Sequence, residues 1–402
     1  MAKIQVYGAP WCPDCKRSKQ FLGEQRVAYE WIDIDKDPGA AQVAREKNNG
    51  RQIIPTIVFE DGSVLAEPSN DELARKLGLT LRAKRSFYDL ILVGGGPAAL
   101  TASIYAAREG IDALVIEKSA LGGQAGVTER IDNYPGFPEG IGGGELADRI
   151  IQQARRYGVE LLSAVGVKSL SREEHGVCVV TDGGEEYGAR AVIIATGSTY
   201  RRLGVPGEDE LIGAGIHFCA TCDGPFYKGA KELLVIGGGN SGAEEGLFLS
   251  QFADHITLVE FNPELKASAL LQEKIRSDPK FSIYANTQVT AFRGDGKLTG
   301  VVLKDRSTGE EREIEPAGAF VFIGLTPNSG FLGDAVRTDQ WGFIETDATF
   351  QTSLPGVYAA GDVRAGSTKQ LASAIGEGVT ALLMVRQYLQ QLGDLPEKEA
   401  AA

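Results

Sequence analysis

Four of the chain's five cysteines form two C-x-x-C pairs, Cys12/Cys15 and Cys219/Cys222. At that spacing a dithiol exchanges two electrons: one thiolate attacks a disulfide and the second resolves the mixed disulfide. Zinc is the competing use, but zinc sites usually set two such pairs ~15–20 residues apart. These pairs lie far beyond that, so two separate dithiols are expected and no metal. Cys12 opens a segment read as a helix, Cys12–Glu24, whose dipole favours a thiolate, as do Lys16, Arg17 and Lys19; Asp14 opposes it. Cys12, the more exposed first position, is the expected nucleophile and Cys15 the resolving thiol. Asp223, directly after the second pair, is the expected acid–base group for a thiol. Cys178 sits in the alternating stretch Val177–Thr181 and reads as core filler. His175, His217 and His255 stand alone, so packing or surface roles are expected, with thiol tuning by His217 as the other reading.

Glycine-rich turns supply the second chemistry. Gly94-x-Gly96-x-x-Ala99 and Gly237-x-Gly239-x-x-Gly242 each follow an apolar strand and open a helix. In such a turn the first glycine permits a tight bend. The second lets the backbone approach a pyrophosphate at the helix N-terminus, and the third position lets helix pack on strand. Gly94, Gly96, Pro97 and Ala98 are therefore candidate ligands of one dinucleotide. Gly237, Gly239, Asn240, Ser241 and Gly242 are candidates for another. Glu117 and Glu260 each end the following strand, close to the ~20-residue offset expected for an acid at the ribose hydroxyls. Glu260 would accept from a free 2′-hydroxyl and repel a 2′-phosphate.

The elements that must position these groups fall into blocks. Residues 1–80 read β-α-β-α-β-β-α, with Asp61-Gly62 as a hairpin turn and Ser69/Glu72 as a capping box. Residues 81–86 form a linker. The two dinucleotide units occupy most of 87–392: 87–201 and 328–392 as one domain, 202–327 as an inserted second. Residues 393–402 form a polar tail expected to be flexible. The fold class is α/β. A net charge of −13 removes weight from non-specific nucleic-acid binding and from an anionic membrane surface. It lies in the second block, since the first 83 residues are charge-balanced. No secretory signal and no apolar run long enough to span a bilayer is present, which favours the cytoplasm.

The second block resembles the low-molecular-weight thioredoxin reductase family. The motifs are GGGPAALTASIYAAR, GGQ, NYPGFP, ATGS, CATCDGPFY, GGGNSGAEE, GLTPN, AAGDVR and KQLASAIGEG. The resemblance implies a Rossmann-like FAD domain with an inserted NAD(P)H domain. FAD would be held by Gly94, Gly96, Glu117, Gly123, Gln124, Asn133, Asp362 and Gln370. It further implies that Cys222 faces the flavin, that Cys219 attacks the acceptor, and that the protein is a homodimer. NADPH-dependent members carry a basic patch after the second strand. Here the stretch is Val259-Glu260-Phe261-Asn262-Pro263-Glu264-Leu265-Lys266. It looks more like the NADH-using flavoprotein subunit of alkyl hydroperoxide reductase, so NADH is expected over NADPH.

Residues 1–80 resemble glutaredoxins, most closely the mycoredoxin type, through YGAPWCPDCKRSKQFL, IIPTIVFEDGS and PSNDEL. The resemblance implies a thioredoxin fold with Pro55 in cis beside the dithiol. The glutathione-carboxylate segment of ordinary glutaredoxins is replaced by Leu65–Glu72, which leaves other low-molecular-weight thiols open. The expected path runs from NADH through FAD and Cys219/Cys222 to Cys12/Cys15, then to a peroxiredoxin, a thioredoxin-like protein or a small disulfide. A short flexible linker would hold the front domain at about millimolar effective concentration. Two alternatives stand: the front domain as a docking module beside a reductase that serves thioredoxin directly, or an NADH oxidase that needs neither cysteine pair.

Overall fold

The computed structural model describes residues 4–393 apart from 129, 130 and 132; the side chains of Glu24, Thr221 and Cys222 also fall outside the described residues. The tail expected from 393 lies almost wholly outside them.

The chain divides into two compact units. The first comprises 1–127, 144–197 and 328–402, and the second 128–143 and 198–327. Within the first, the front block forms its own four-stranded sheet, ordered Tyr29–Asp33, Ile4–Gly8, Thr56–Val58, Val64–Ala66. Its first pair is parallel and the others are antiparallel. Val6, Leu22, Ile57 and Leu73 are fully buried between this sheet and its helices. Helix Pro13–Glu24 begins with proline at its first position, where a missing N–H costs nothing. Helix Asn70–Lys76 is set by the expected capping box: Glu72 N–H donates to Ser69 Oγ at 3.2 Å and Ser69 N–H to Glu72 Oε2 at 2.8 Å.

The rest of this unit is built on a seven-stranded sheet. Strand Phe87–Val93 is parallel to Ala113–Ile116 on one side and to Glu186–Ile194 on the other. Leu90, Ile91 and Leu92 are all fully buried. Such an unbroken apolar run is what a strand covered on both faces requires. Helices Pro97–Arg108 and Leu371–Gln391 pack together on one face, where the side chains of both join a single core. Gly378 marks their close approach, since a β-carbon there would collide with the Ala98 carbonyl.

The stretch 81–86 is fastened along the sheet domain rather than hanging as a flexible tether. Ala83 N–H donates to Tyr187 Oη at 3.1 Å, and Lys84 N–H to Glu160 Oε1 at 2.7 Å. Arg82 pairs with Glu185 at 3.1 Å and Arg85 with Asp112 at 2.5 Å. Leu81 and Ala83 pack on the sheet's core.

The second unit holds a five-stranded parallel sheet, ordered Ile216–His217, Gly318–Val321, Ala230–Ile236, Ala253–Val259, Phe281–Tyr284. A three-stranded antiparallel sheet over Thr287–Ile314 accompanies it. Both dinucleotide units are therefore parallel α/β modules. Their helices begin within the glycine-rich turns, at Pro97 and Asn240, because each turn's second glycine is itself the N-cap.

Gly378→Ala should lower stability by about 1–3 kcal/mol through overpacking. The denaturant midpoint should fall with its slope unchanged; an unchanged midpoint would show that the two helices have room to separate.

Candidate active site

In the first unit, strand Phe87–Val93 delivers the chain into Gly94 at φ +109°, where a β-carbon would strike the Ala195 carbonyl. Only glycine suits that combination. The turn ends at Gly96, the N-cap of helix Pro97–Arg108, and this leaves Pro97 and Ala98 in the helix's first turn. A β-carbon at Gly96 would meet only the Gly123 backbone, at 3.9 Å, so the helix N-terminus is open to a group above it. Gly123 and Gln124 begin the 3₁₀ turn Gly123–Val127. Glu117 closes the bend: Oε2 accepts from Gly95 N–H at 2.5 Å and Oε1 from Ser119 N–H at 2.7 Å. Burial pushes its carboxyl pKa up, and the two N–H groups oppose that rise.

Asp362 reaches the same place through Gly361, where a β-carbon would lie 3.3 Å from Ala98 Cβ. The approach is held from behind. Glu377 Oε2 accepts from Gly361 N–H at 2.8 Å and from Arg364 Nε at 3.1 Å, while Lys369 Nζ donates to Asp362 O at 2.7 Å. Asp362 Oδ1 is buried without a hydrogen-bond partner, and burial raises its pKa. Gln370 is the N-cap of helix Leu371–Gln391. Asn133 belongs to the segment 128–143 of the other unit. An open helix N-terminus, a glycine cradle, a strand-end carboxylate and an orphaned buried oxygen fit a dinucleotide with a polar ring edge.

The second unit repeats the device. Gly237 has φ +115°, and Gly239 is the N-cap of helix Asn240–Leu249 with nothing near its missing β-carbon. A β-carbon at Gly242 would collide with the Gly237 carbonyl, so helix and turn touch there. Asn240 Oδ1 accepts from Ser268 N–H at 2.7 Å, and Ser241 is exposed. Glu260 is 6% exposed and accepts from Gly238 N–H at 2.6 Å and Asn262 N–H at 2.7 Å, so it is not a solvated strand end. This second cradle fits a dinucleotide on its open helix N-terminus, glycine turn and strand-end carboxylate.

Cys12 and Cys15 are free thiols, and the Ile54-Pro55 bond is cis. Cys12 Sγ accepts from Cys15 N–H at 3.1 Å and donates to Ile54 O at 3.7 Å, which brings the dithiol and the Pro55 loop together. Cys12 is 4% exposed, so it is less open than expected; its neighbour Trp11, at 67%, carries the exposure. Burial pushes the Cys15 thiol up to about 12, helped by its contact with Cys12. Arg17 does not face the sulfurs: it pairs with Asp14 at 2.5 Å and donates to Pro68 O at 2.8 Å. It thereby partly offsets Asp14, whose charge still acts to raise Cys15.

Cys219 is disulfide-bonded and caps the one-turn helix Ala220–Asp223; the Cys222 side chain lies outside the described residues. Asp223 is not alone. His217 Nδ1 lies 3.4 Å from its Oδ2, and His217 Nε2 lies 2.7 Å from Tyr227 Oη. The imidazole thus bridges a carboxylate on one ring nitrogen and a phenol on the other. Burial, with the charge of Asp223, pushes Tyr227 up to about 12 and keeps that phenol protonated. The strand Ile216–His217 and the turn after the cysteines bring these three together within a short stretch of chain. Their polar residue types flank the cysteine pair in the sequence, but their hydrogen-bonded order depends on the sheet. Among the described residues no cluster suits a metal ion.

The pyridine nucleotide-disulphide oxidoreductase family matches residues 88–378, and the glutaredoxin family matches 4–64. A thioredoxin reductase of Bacillus subtilis is 40% identical over 311 residues, which are 77% of this chain and 97% of that one. A bifunctional thioredoxin reductase/thioredoxin of Mycobacterium leprae is 40% identical over 316 residues, 78% and 69% of the two chains. The crystal structure of thioredoxin reductase from Streptococcus pyogenes superposes with a TM-score of 0.71 at 37% identity, covering 76% of this chain and 99% of that one.

A thiol held near 12 stays neutral, and so unreactive, across the ordinary pH range. Iodoacetamide between about pH 7 and 9, mapped by mass spectrometry, should label Cys12 and spare Cys15. Labelling of Cys15 first would reverse the assignment of nucleophile and resolving thiol.

Proposed function

Because the chain belongs to the pyridine nucleotide-disulphide oxidoreductase family, as a thioredoxin reductase-like flavoprotein with a glutaredoxin domain in front, we propose that it passes electrons from NADH through FAD to Cys219/Cys222, then to Cys12/Cys15, and finally to an external disulfide. The enzyme is a flavin-dependent disulfide oxidoreductase that uses a pyridine nucleotide. The observation that carries the longer path is a complete second dithiol, with free thiols and a flanking cis-proline loop, in the same chain as two dinucleotide cradles.

FAD, when bound, supplies the two-electron exchange between a nicotinamide and a dithiol. The chain's own residues do the rest. Gly94, Gly96, Pro97 and Ala98 present the helix N-terminus to the pyrophosphate, and Gly123, Gln124 and Asn133 are further ligands of the same cofactor. Glu117 accepts from the ribose, and Asp362 and Gln370 meet the flavin end. Gly237, Gly239, Asn240, Ser241, Gly242 and Glu260 take the corresponding parts for NADH. Cys222 would be the sulfur that exchanges electrons with the flavin, and Cys219 the one that attacks the acceptor disulfide. Asp223, held by His217 and Tyr227, gives and takes the thiol proton. In the front domain Cys12 attacks, Cys15 resolves, and Pro55 borders the approach. The acceptor is a thioredoxin-like protein, a peroxiredoxin or a low-molecular-weight disulfide. A name that joins a thioredoxin reductase to a thioredoxin in one Mycobacterium leprae chain supports the idea of a fused acceptor.

One observation favours the docking reading instead: the fastened stretch 81–86 holds the front domain on its neighbour. An anaerobic NADH titration followed by flavin absorbance separates the two. Started from protein whose two cysteine pairs are both oxidised to disulfides, FAD and the two connected disulfides should take up about three equivalents per chain, each two-electron centre counting one. About two would place Cys12/Cys15 outside the relay and establish docking.

Nucleotide choice is read at Glu260. Glu260→Ala combined with Asn262→Arg removes the ribose-binding acid and adds a cation, so the NADPH-to-NADH ratio of kcat/KM should rise about tenfold or more. The ratio is the proper readout because Glu260 also closes the turn on Gly238 N–H, so both nucleotides lose some affinity. An unchanged ratio would remove Glu260 from selectivity.

A further inference from the structure

Arg26 stands one residue past the cap of helix Pro13–Glu24, in the left-handed conformation at φ +54°. Glycine takes that position most cheaply. The arginine there sends its side chain out of the front domain to the segment Ala120–Gly126 of the sheet domain. Its guanidinium donates to Leu121 O, to Gly126 O at 3.3 Å and to Ala120 O at 3.5 Å. A β-carbon at Gly126 would collide with it, and one at Gly122 would lie 2.8 Å from Nη2. Gly126 therefore leaves the space this side chain fills, while Gly122 is also required by its φ of +102° and by Ala147 Cβ at 2.6 Å. A planar fork with five donors spans carbonyls spread along a segment, where the compact ammonium of a lysine presents three donors at one point. Burial lowers the arginine's pKa, and the carboxylates of Asp148 and Glu117 act to restore it. The same segment contains Gly123 and Gln124, and Glu117 closes the bend at Gly95.

We propose that Arg26 is a cross-domain latch: the front domain pins the carbonyls of the flavin-side segment 120–126, so that retention of FAD depends on the front domain. The flavin half of this proposal rests on the reading of 122–124 given above. The latch engages the end of helix Pro13–Glu24 opposite to Cys12. Twelve residues at 1.5 Å each separate the two by about 18 Å. The dithiol end and the exposed Trp11 are thus left clear of the docking face. The front domain carries two jobs on opposite ends of one helix: thiol chemistry at the N-terminus and support of the neighbouring domain at the C-terminus.

The test compares the full-length holoprotein with Arg26→Ala, Gly126→Ala and the double variant. Hydrogen exchange of amides 120–126 and the rate of FAD release on dilution, read by flavin fluorescence, are followed together. Arg26→Ala should speed both, the release by about tenfold, as expected for losing hydrogen bonds to a charged donor. Gly126→Ala displaces the guanidinium from the other side, leaves the front domain's sequence intact, and decides the matter alone should Arg26→Ala not fold. The double variant should add little to either single change, since both break one interaction. Unchanged exchange in 120–126, or fully additive effects, would overturn the latch. Faster exchange with unchanged FAD release would keep the contact and overturn its link to the cofactor. A chain that purifies without any flavin would count against the flavin reading, while the exchange measurement still judges the latch.

Discussion

Each dinucleotide turn is closed by a carboxylate from the end of the next strand. Glu117 accepts the Gly95 N–H and Glu260 the Gly238 N–H, at 2.5 and 2.6 Å. The rest of each cradle depends on that bond. It fixes the middle of a glycine-rich turn that has almost no side chains of its own to hold it. Once the turn is fixed, the following helix points its N-terminus at a defined place, and the first glycine can press against a neighbouring carbonyl. In both units the pressed partner is the backbone just after a central strand, Ala195 in one and Phe322 in the other. Two acids at equivalent strand ends thus serve structure in the same way. Substitution at either position disturbs the turn itself, and this is why a ratio of nucleotides is informative where an absolute rate is not.

The two cysteine pairs share a spacing and a helix N-terminus but differ in how protons are managed. In the front domain the division lies between the two sulfurs themselves. Cys12 receives the Cys15 N–H, while burial holds the Cys15 thiol protonated. In the second unit polar side chains are ordered beside the pair in the chain. The order Tyr227–His217–Asp223 ends on a carboxylate one residue past the second cysteine. Phe320 lies against the imidazole and completes its packing. His217 thus stands between the phenol of Tyr227 and the carboxylate of Asp223.

What could be read from the sequence follows the range of the interactions involved. The cysteine spacing, the glycine turns, the strand-end acids and the Ser69/Glu72 cap are local, and each is where the residue types place it. The exact helix starts are harder to read, because an N-cap glycine carries no side-chain signal of its own. Asp362 is legible by motif, but its orphaned oxygen and the support from Glu377 and Lys369 depend on two helices that meet from far apart in the chain. Arg26 gives no signal at all. It lies in an ordinary polar stretch, and its partners are backbone carbonyls, which no residue type announces.

The stretch 81–86 changes what fusion means for this protein. A flexible tether raises an acceptor's effective concentration by letting it sample a volume that includes the donor. Here backbone N–H groups of the tether are tied to Tyr187 and Glu160, its arginines are paired, and its apolar residues are packed. A domain held this way samples very little. Its encounter with a donor dithiol is governed by geometry, which makes the effective concentration either very high or close to zero. The attachment at the end of the helix away from Cys12 then acts as a choice of orientation. It fixes which face of the front domain is spent on holding the chain together, and it leaves the helix end with Cys12 and the exposed Trp11 out of that contact.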